Sequence, residues 1–379
     1  MSSYTRERLD LLGRVRSAAE ERMNGELAEL DRTETFNLKG WQACADLGVL
    51  GYRVPRRYGG QELDVLDTVA ALEGLGQGCR DNGLMLAVGA HIWACEVPIL
   101  AFGTEEQKLE YLPKLASGEL VACHAVSEPQ AGSDVSSVST TAVRRGDRYV
   151  LNGRKLYVTN APIAGLCIVF ATLDPAAGPR GLTAFLVEPD SAGMAVRKVS
   201  KMGLRTAQMG EISLVDCEVP LKNLLGKERE GLDIFNHSME WERGFILAPA
   251  VGSMERVLQR CVRHARSRKQ FGAPISSFQA ISHKLVDMKL RIETSRSLLH
   301  GVAHLKQQGR SALGAAAMAK LHISESWTQV CLDALQIHGA QGYLCENELE
   351  REVRDVLGSK IFSGTSEIQR RIIAQLMGL

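Results

Sequence analysis

The sequence predicts an α+β protein in which a helical domain, an antiparallel β domain and a four-helix bundle follow one another along the chain. Residues 1–118 repeat apolar side chains at helical spacing, as in the run Leu9–Ala19. Residues 119–224 change to a period of two, with Gly, Asp and Pro between short apolar runs. Residues 225–379 return to long amphipathic stretches with short connections, which is typical of a helical bundle.

Two signals place helices in the first domain. Thr104 and Gln107 stand three residues apart before an apolar run, the pattern of a capping box, so a helix is expected to begin there. The most apolar stretch, residues 84–102, contains a histidine, a glutamate and a proline. These residues favour a buried helix and its connection over a membrane span.

In the second domain, the Asn152-Gly153 pair between alternating runs predicts a hairpin turn. Further strands are expected at residues 166–171, 182–187, 194–199 and 211–215. In the third domain, helices are expected at residues 280–307, 312–338, 348–359 and 366–376.

Composition narrows the function classes. The 379 residues carry a formal net charge of +1 and no long block of Lys or Arg, so neither nucleic acid nor a membrane is predicted as a partner. The nine cysteines include no Cys-x-x-Cys pair, and we interpret them as reduced thiols of a cytoplasmic protein. The N-terminal segment lacks the apolar core of a signal peptide. No metal-binding motif and no Rossmann-type glycine motif is found, so no metal is expected.

Three polar segments carry most of the functional information. The first is Val126–Asp134, where small residues and hydroxyl groups let the backbone approach a ligand closely. The second is Lys155–Asn160, a strand end with an aromatic ring and a hydroxyl group. The third is Arg266–Gly272, a basic helix end suited to a phosphate group. Each alone has an ordinary structural explanation: a polar loop, a strand, and basic residues that complement a helix dipole.

Together and in this order, these segments resemble the acyl-CoA dehydrogenase family. The resemblance rests on the stretches SEPQAGSD, KLYVTN, RSRKQFG and GSKIFSGTSEIQRR, and it covers nearly the whole chain. It implies the three-domain order already predicted and FAD as the cofactor. It also implies a homotetramer, because in the family the basic helix end reaches the FAD of a partner subunit.

The resemblance assigns FAD contacts residue by residue. Those implied are Val126, Ser127 and Ser133 in the loop, Tyr157 and Thr159 in the strand, Arg268, Phe271 and Gln279 at the basic helix end, and Gln336, Gly339, Thr365 and Glu367 near the C-terminus. One departure is Ala340, which stands where the family usually has a second glycine and adds a methyl group near the cofactor.

The expected catalytic base also departs from the commonest family pattern. Many members carry a glutamate where this chain has Ser363, and a serine hydroxyl is too weakly acidic to act as a base near neutral pH. A minority place the base on an earlier helix, in a segment ending in Glu-Arg that matches Glu242 and Arg243. We therefore predict Glu242 as the base, with desolvation raising its pKa. The alternatives are a solvated, ion-paired Glu242 and the nearby Glu240, which points elsewhere on a helix.

The resemblance then implies α,β-dehydrogenation of an acyl thioester. Glu242 takes the α-proton while a hydride leaves the β-carbon for the flavin. A flavin ribityl hydroxyl and the Ser363 backbone N–H donate to the thioester oxygen and stabilise the enolate. Ser133, Arg243 and Phe362 are the expected substrate contacts.

The substrate is narrowed by a closer resemblance. Trp241–Arg243, Asn160–Ala164 and residues 362–366 are similar to the L-prolyl-carrier-protein dehydrogenases of natural-product pathways. This predicts an aminoacyl thioester held on a carrier protein, in antibiotic biosynthesis. The alternatives are a short or branched acyl-CoA as substrate, a flavin monooxygenase or oxidase on the same fold, and a scaffold protein without chemistry. The electron acceptor is either a flavoprotein or oxygen.

Overall fold

The first third of the structure is helical, as the sequence predicts. The computed structural model describes residues 4–379. The helices of this part are α1 (Arg6–Arg22), α2 (Leu27–Arg32), α3 (Leu38–Asp46), α4 (Val65–Gly78), α5 (Asn82–His91), α6 (Val97–Phe102) and α7 (Glu105–Ala116). At the start of α7, the Thr104 hydroxyl accepts from the Gln107 N–H, and the Gln107 side chain accepts from the Thr104 N–H. The predicted capping box is therefore confirmed.

A π turn at Ile92–Glu96 joins α5 and α6 into one continuous helix. By length and composition Asn82–Phe102 could cross a membrane, with a mean hydropathy of 1.7, but 89% of its most apolar window is buried inside the fold. Trp93 stacks on Trp241 at a centroid distance of 6.0 Å, and His91 Nδ1 accepts a backbone N–H of the first strand at 3.0 Å. The prediction of a buried helix is confirmed.

One eight-stranded sheet forms the middle of the chain. Its strands are β1 (Ala122–Ala125), β2 (Thr141–Arg145), β3 (Arg148–Thr159), β4 (Leu166–Thr172), β5 (Leu182–Val187), β6 (Met194–Lys198), β7 (Met209–Pro220) and β8 (Leu224–Leu225). The order is β6-β7-β3-β2-β4-β5-β8, with β1 paired to β4 outside this path. The prediction of an antiparallel sheet is wrong in one respect, because β1 and, at one residue pair, β2 run parallel to β4 and the sheet is mixed. Parallel neighbours need a long connection, and the β2–β3 hairpin supplies it here.

The predicted hairpin turn at Asn152-Gly153 is also wrong. β3 runs through both residues, and the two-residue turn lies earlier, at Gly146-Asp147 between β2 and β3. Gly146 has a φ of +62°, as a tight hairpin turn requires. β3 continues because β7 pairs with it along almost its whole length. Gly153 instead occupies a bulge in that pairing, where a Cβ would lie 2.3 Å from the Thr140 hydroxyl oxygen.

Helices return after the sheet and follow the predicted ranges closely. They are α8 (Gly231–Phe245), α9 (Ala248–Ser267), α10 (Gln279–Gln307), α11 (Leu313–His338), α12 (Leu349–Gly358) and α13 (Ser366–Leu376). A short hairpin of β9 (Lys269–Gln270) and β10 (Ala273–Pro274) separates α9 from α10. α11 packs against α8, α9 and α10, and α4 packs on α9 within one continuous apolar core. Since α8 also contacts β5, it lies where bundle and sheet meet.

Candidate active site

Glu242 lies on the buried face of α8, at the junction of bundle and sheet. Its side chain is 8% exposed, and it shares the buried face with Phe245. The Ser363 hydroxyl donates a hydrogen bond of 2.5 Å to Glu242 Oε1, although the two residues stand 121 positions apart in the chain. The side chain of the predicted base, Glu242, therefore contacts the side chain of Ser363, which stands where many family members carry their catalytic glutamate.

The surroundings of Glu242 shift its proton affinity in opposing directions. Burial raises the pKa of Glu242, because a charged carboxylate loses hydration there. The Ser363 hydroxyl, Arg243 and Lys320 each favour the charged form and oppose the rise. The carboxylate is therefore a stronger base than an exposed glutamate, as the sequence predicts. The alternative of a solvated, ion-paired side chain does not describe it.

Glu240, the competing carboxylate, is fully engaged elsewhere. It accepts from Lys306 Nζ at 2.9 Å, from the Ala312 N–H at 2.8 Å and from the Ser311 hydroxyl at 3.3 Å. Although burial opposes it, these donors hold the pKa of Glu240 below its usual value. Glu240 therefore ties α8 to the start of α11 and does not point toward Ser363.

The loop that carries Ser363 is held in an unusual backbone conformation. Ser363 has a φ of +56° and Gly364 a φ of +87°. A left-handed conformation costs a non-glycine residue about 1–2 kcal/mol, so neighbouring contacts must stabilise it. Arg243 Nε donates to the Ser363 carbonyl at 3.4 Å, Lys320 Nζ donates to the Gly364 carbonyl at 2.8 Å, and the Gln369 amide donates to both carbonyls. The loop is thus fixed from three helices.

The backbone N–H of Ser363 is available to a ligand. Within residues 4–379 it donates to no carbonyl and no side chain. Phe362 and Arg243, two of the expected substrate contacts, are half-buried beside it, and Lys320 Nζ lies 5.9 Å from the centre of the Phe362 ring. Lys320 itself is completely buried. The motifs gave no indication of Lys320, because it reaches the loop from the middle of α11.

The loop at residues 126–134 is anchored to β3 by a buried ion pair. Lys155 Nζ donates to Glu128 Oε1 at 2.6 Å and to the Val126 carbonyl at 3.1 Å, and both charged side chains are buried. Glu128 also accepts from the Ser139 N–H at 2.7 Å and the Thr140 N–H at 3.0 Å. Against the effect of burial, Lys155 lowers the pKa of Glu128 to about 2, while burial lowers the pKa of Lys155 to about 8. Both residues lie inside the polar segments at 126–134 and 155–160, but neither segment's pattern predicts a role for them.

The aromatic ring at the end of β3 points into the open. Tyr157 is 65% exposed and has a φ of +58°, because a register shift between β3 and β7 falls at this point. Ser133 is exposed, Ser127 and Thr159 are half-buried, and Val126 is buried. At Gly132 an added Cβ would meet no atom within 4 Å. This face combines an exposed ring, hydroxyl groups and free space, which fits a planar ring system with polar edges such as a flavin.

The remaining predicted cofactor residues form a second group. Arg268 ends α9, Gln279 begins α10, and Gln336 and Gly339 lie at the end of α11. His264 and His338 stack at 4.2 Å, so the ends of α9 and α11 are neighbours. Arg268 is exposed and forms no ion pair within residues 4–379, and Phe271 is 95% exposed with a φ of +51°. No hydrogen bond, ion pair or ring contact joins this group to the Tyr157 face within the described residues.

Thr365 and Glu367 complete the set at the start of α13. The Thr365 hydroxyl caps this helix by accepting from the Ile368 N–H at 3.3 Å, and the Glu367 side chain is exposed. They directly follow the Ser363 loop, so the helix start and the Glu242 site are adjacent.

A buried carboxylate of raised pKa, an open backbone donor beside it and an exposed face with room for a planar ring fit a flavin-dependent oxidoreductase. Family models identify the class further. The models for the N-terminal, middle and C-terminal domains of acyl-CoA dehydrogenases match residues 5–119, 123–217 and 229–378. The chain belongs to the acyl-CoA dehydrogenase family, and it is an FAD-dependent oxidoreductase of acyl thioesters.

Named relatives divide between two substrate classes. The L-prolyl-[peptidyl-carrier protein] dehydrogenase of Pseudomonas fluorescens is 42% identical, over 92% of this chain and 92% of the relative. The mitochondrial short-chain specific acyl-CoA dehydrogenase of Homo sapiens is 37% identical, over 96% of this chain and 88% of the relative. Among solved structures, the prolyl acyl carrier protein oxidase AnaB is 54% identical with a TM-score of 0.98, and all of both chains is covered.

Proposed function

We propose that this enzyme dehydrogenates a prolyl group held as a thioester on a carrier protein. The observation that carries the reaction is the buried Glu242 carboxylate beside the open Ser363 N–H. The choice of substrate is supported by the similarity to prolyl-carrier-protein enzymes, at 42% and 54% identity over most or all of the chain. The setting proposed is antibiotic or related natural-product biosynthesis.

Each residue of the candidate site has a separate role in the proposed reaction. The Ser363 N–H donates to the thioester oxygen and stabilises the negative charge that develops there. Glu242 then removes the α-proton, which its raised pKa equips it to accept. Arg243, Phe362 and Ser133 orient the acyl group. FAD, when bound, would supply the redox chemistry as the hydride acceptor for the β-carbon.

FAD would be held by residues of two subunits. Val126, Ser127, Ser133, Tyr157, Thr159, Thr365 and Glu367 would hold the ring end, and Arg268, Phe271, Gln279, Gln336 and Gly339 of a second copy would hold the phosphate and adenine end. The separation of the two groups within one chain supports this division. Exposed apolar side chains on α10 and α11, at the end of α13 and directly after it support a homotetramer: Val286, Leu290, Met318, Leu332, Leu376 and Met377.

Replacing Arg268 with alanine is expected to weaken FAD binding by about tenfold or more, because a charge-assisted phosphate contact is lost. Stability should change by no more than about 0.5 kcal/mol, since Arg268 is exposed and unpaired. The measurement is the FAD dissociation constant by fluorescence, with thermal unfolding in parallel. Arg266→Ala is the matched control, because Arg266 is also an exposed arginine at the end of α9. Equal losses in both variants would contradict a specific role for Arg268.

The proposed substrate has a direct test. FAD-loaded enzyme is titrated anaerobically with a prolyl-loaded carrier protein and, separately, with short and branched acyl-CoA thioesters, while flavin absorbance is followed. We expect bleaching with the prolyl carrier protein. Bleaching with acyl-CoA alone would contradict the prolyl substrate and favour the second candidate function, that of an acyl-CoA dehydrogenase. The similarity to the human short-chain enzyme supports this second candidate. Admitting either a flavoprotein or oxygen to the reduced enzyme then identifies the electron acceptor.

We further propose that the enzyme acts in the cytoplasm. All nine cysteines are free thiols and eight are buried, which suits a reducing compartment. We retain residues 1–118, 119–224 and 225–379 as the proposed domain limits.

A further inference from the structure

Ser363 has a role that its backbone alone does not explain. Within residues 4–379, the hydrogen bond to the Glu242 carboxylate comes from the Ser363 hydroxyl, which donates to Oε1. Glu242 Oε2 accepts no hydrogen bond from the described residues. One carboxylate oxygen is therefore held and the other is left for a ligand.

The direction of the Ser363 side chain is set by the loop. Its left-handed φ of +56° would relax if the surroundings allowed it, but Arg243, Lys320 and Gln369 hold the two carbonyls at residues 363 and 364. The Gly364 position is equally constrained, because an added Cβ there would lie 2.8 Å from the Gln369 amide. The loop therefore aims the hydroxyl at the carboxylate at the cost of backbone strain.

We infer that the Ser363 hydroxyl is a positioning residue, which fixes Glu242 Oε1 so that Oε2 takes the substrate's α-proton. The inference rests on the proposed function, in which Glu242 is the base. The C–H bond breaks, its proton passes to Oε2, and the electron pair stays on the α-carbon. A hydroxyl suits this task because it donates to Oε1 of the charged carboxylate before the transfer and can go on donating to that oxygen once the proton is on Oε2. An alanine could not do either.

The hydroxyl also affects the pH at which Glu242 becomes charged. It stabilises the carboxylate against burial, so its removal should move the ionisation of Glu242 upward by about one pH unit. Activity needs the charged form, so the acidic limb of the pH profile moves to higher pH. Thus the hydroxyl widens the pH range in which the base is ready, in addition to orienting it.

The test compares Ser363→Ala, Ser363→Gly and Ser366→Ala as FAD-loaded enzymes. Glycine removes the hydroxyl without backbone strain at a positive φ, so it remains informative if the alanine variant folds poorly. Ser366→Ala is the matched control, since the Ser366 hydroxyl also donates to a carboxylate, Glu325, at 3.1 Å in the same region. Two quantities are measured: the pH profile of single-turnover flavin reduction, and the infrared carbonyl band of protonated Glu242 without substrate, identified by its absence in Glu242→Gln.

Both Ser363 variants should shift the acidic limb and the infrared titration upward together and slow flavin reduction about tenfold or more, whereas Ser366→Ala should shift neither. Unshifted values in both Ser363 variants, with Glu242→Gln inactive, would overturn the role of the hydroxyl and leave the base assignment intact. A shift in Ser363→Ala alone would overturn it too, because backbone strain would then be the cause. Full flavin reduction by Glu242→Gln would remove the proposed base and the inference together.

Discussion

Glu242→Gln is expected to retain bound FAD and its yellow colour, while flavin reduction by the thioester falls about 10²–10⁴-fold. Glutamine keeps the size of the side chain and can still accept from the Ser363 hydroxyl, so the local structure should survive. It cannot accept the α-proton at an oxygen of useful basicity. The measurement is the rate of anaerobic flavin reduction in a single turnover, with FAD content determined from the absorbance spectrum.

Glu240→Gln is the matched control for this experiment. Glu240 is two positions away on the same helix, but its contacts are with Lys306, Ser311 and Ala312. This variant should reduce its flavin at nearly the wild-type rate, with some loss of stability from the weakened Lys306 contact. Wild-type rates in Glu242→Gln, or a greater loss in Glu240→Gln, would place the base elsewhere.

Lys155→Met should destabilise the folded protein by about 3–5 kcal/mol, because it leaves the Glu128 carboxylate buried without its cation. The loop at residues 126–134 would lose two anchors, the Glu128 contact and the Lys155 donation to the Val126 carbonyl. We therefore also expect weaker FAD binding. Thermal unfolding measures the first effect, and fluorescence of released FAD measures the second.

The double variant Lys155→Met/Glu128→Gln separates charge from packing. It removes both charges, so most of the lost stability should return, since replacing a whole buried pair costs less than breaking it. The pH dependence gives a further check. Lys155 holds the pKa of Glu128 at about 2, below the ordinary value of 4.5. Burial lowers the pKa of Lys155 to about 8, so both partners are charged only below that pH. The contribution of Glu128 is therefore complete from pH 4.5 up to that limit, and it disappears as the pH falls toward 2. A wild-type protein without this loss would contradict a charged pair.

Local patterns predicted the elements that depend on local chemistry. The strand at residues 182–187 and the helix at residues 366–376 were predicted with the observed ends, and the Thr104 capping box was predicted from two residues alone. The hairpin turn was not, because Asn152-Gly153 and Gly146-Asp147 are both plausible turns and only pairing with β7 decides between them. The parallel β1–β4 pair likewise depends on a contact distant in sequence.

The same distinction between local patterns and contacts distant in sequence applies to the candidate site. Glu242 was proposed as the base because a Glu-Arg pair in a helix matches a family pattern. Its burial, which the structure confirms, was expected from the apolar residues after it. The hydrogen bond from Ser363 could not be predicted, since it joins residues 121 positions apart. Lys320 was missed for the same reason. The Glu128–Lys155 pair was missed because its members lie in two different segments, 27 positions apart.

The π turn at Ile92–Glu96 makes chain length critical at one place in the core. A π turn accommodates one more residue than the regular helix would, and each residue of an α-helix turns the chain by about 100°. Deleting one residue within the turn would restore a regular helix and leave α5 and α6 in their present phase, although hardly any hydrophobicity would be lost. The residues of the turn itself would change direction, because each would then turn the chain by about 100°, and the ring of Trp93 would rotate relative to Trp241. In this segment the number of residues, as well as their identity, therefore sets how Trp93 stacks on the helix that carries Glu242.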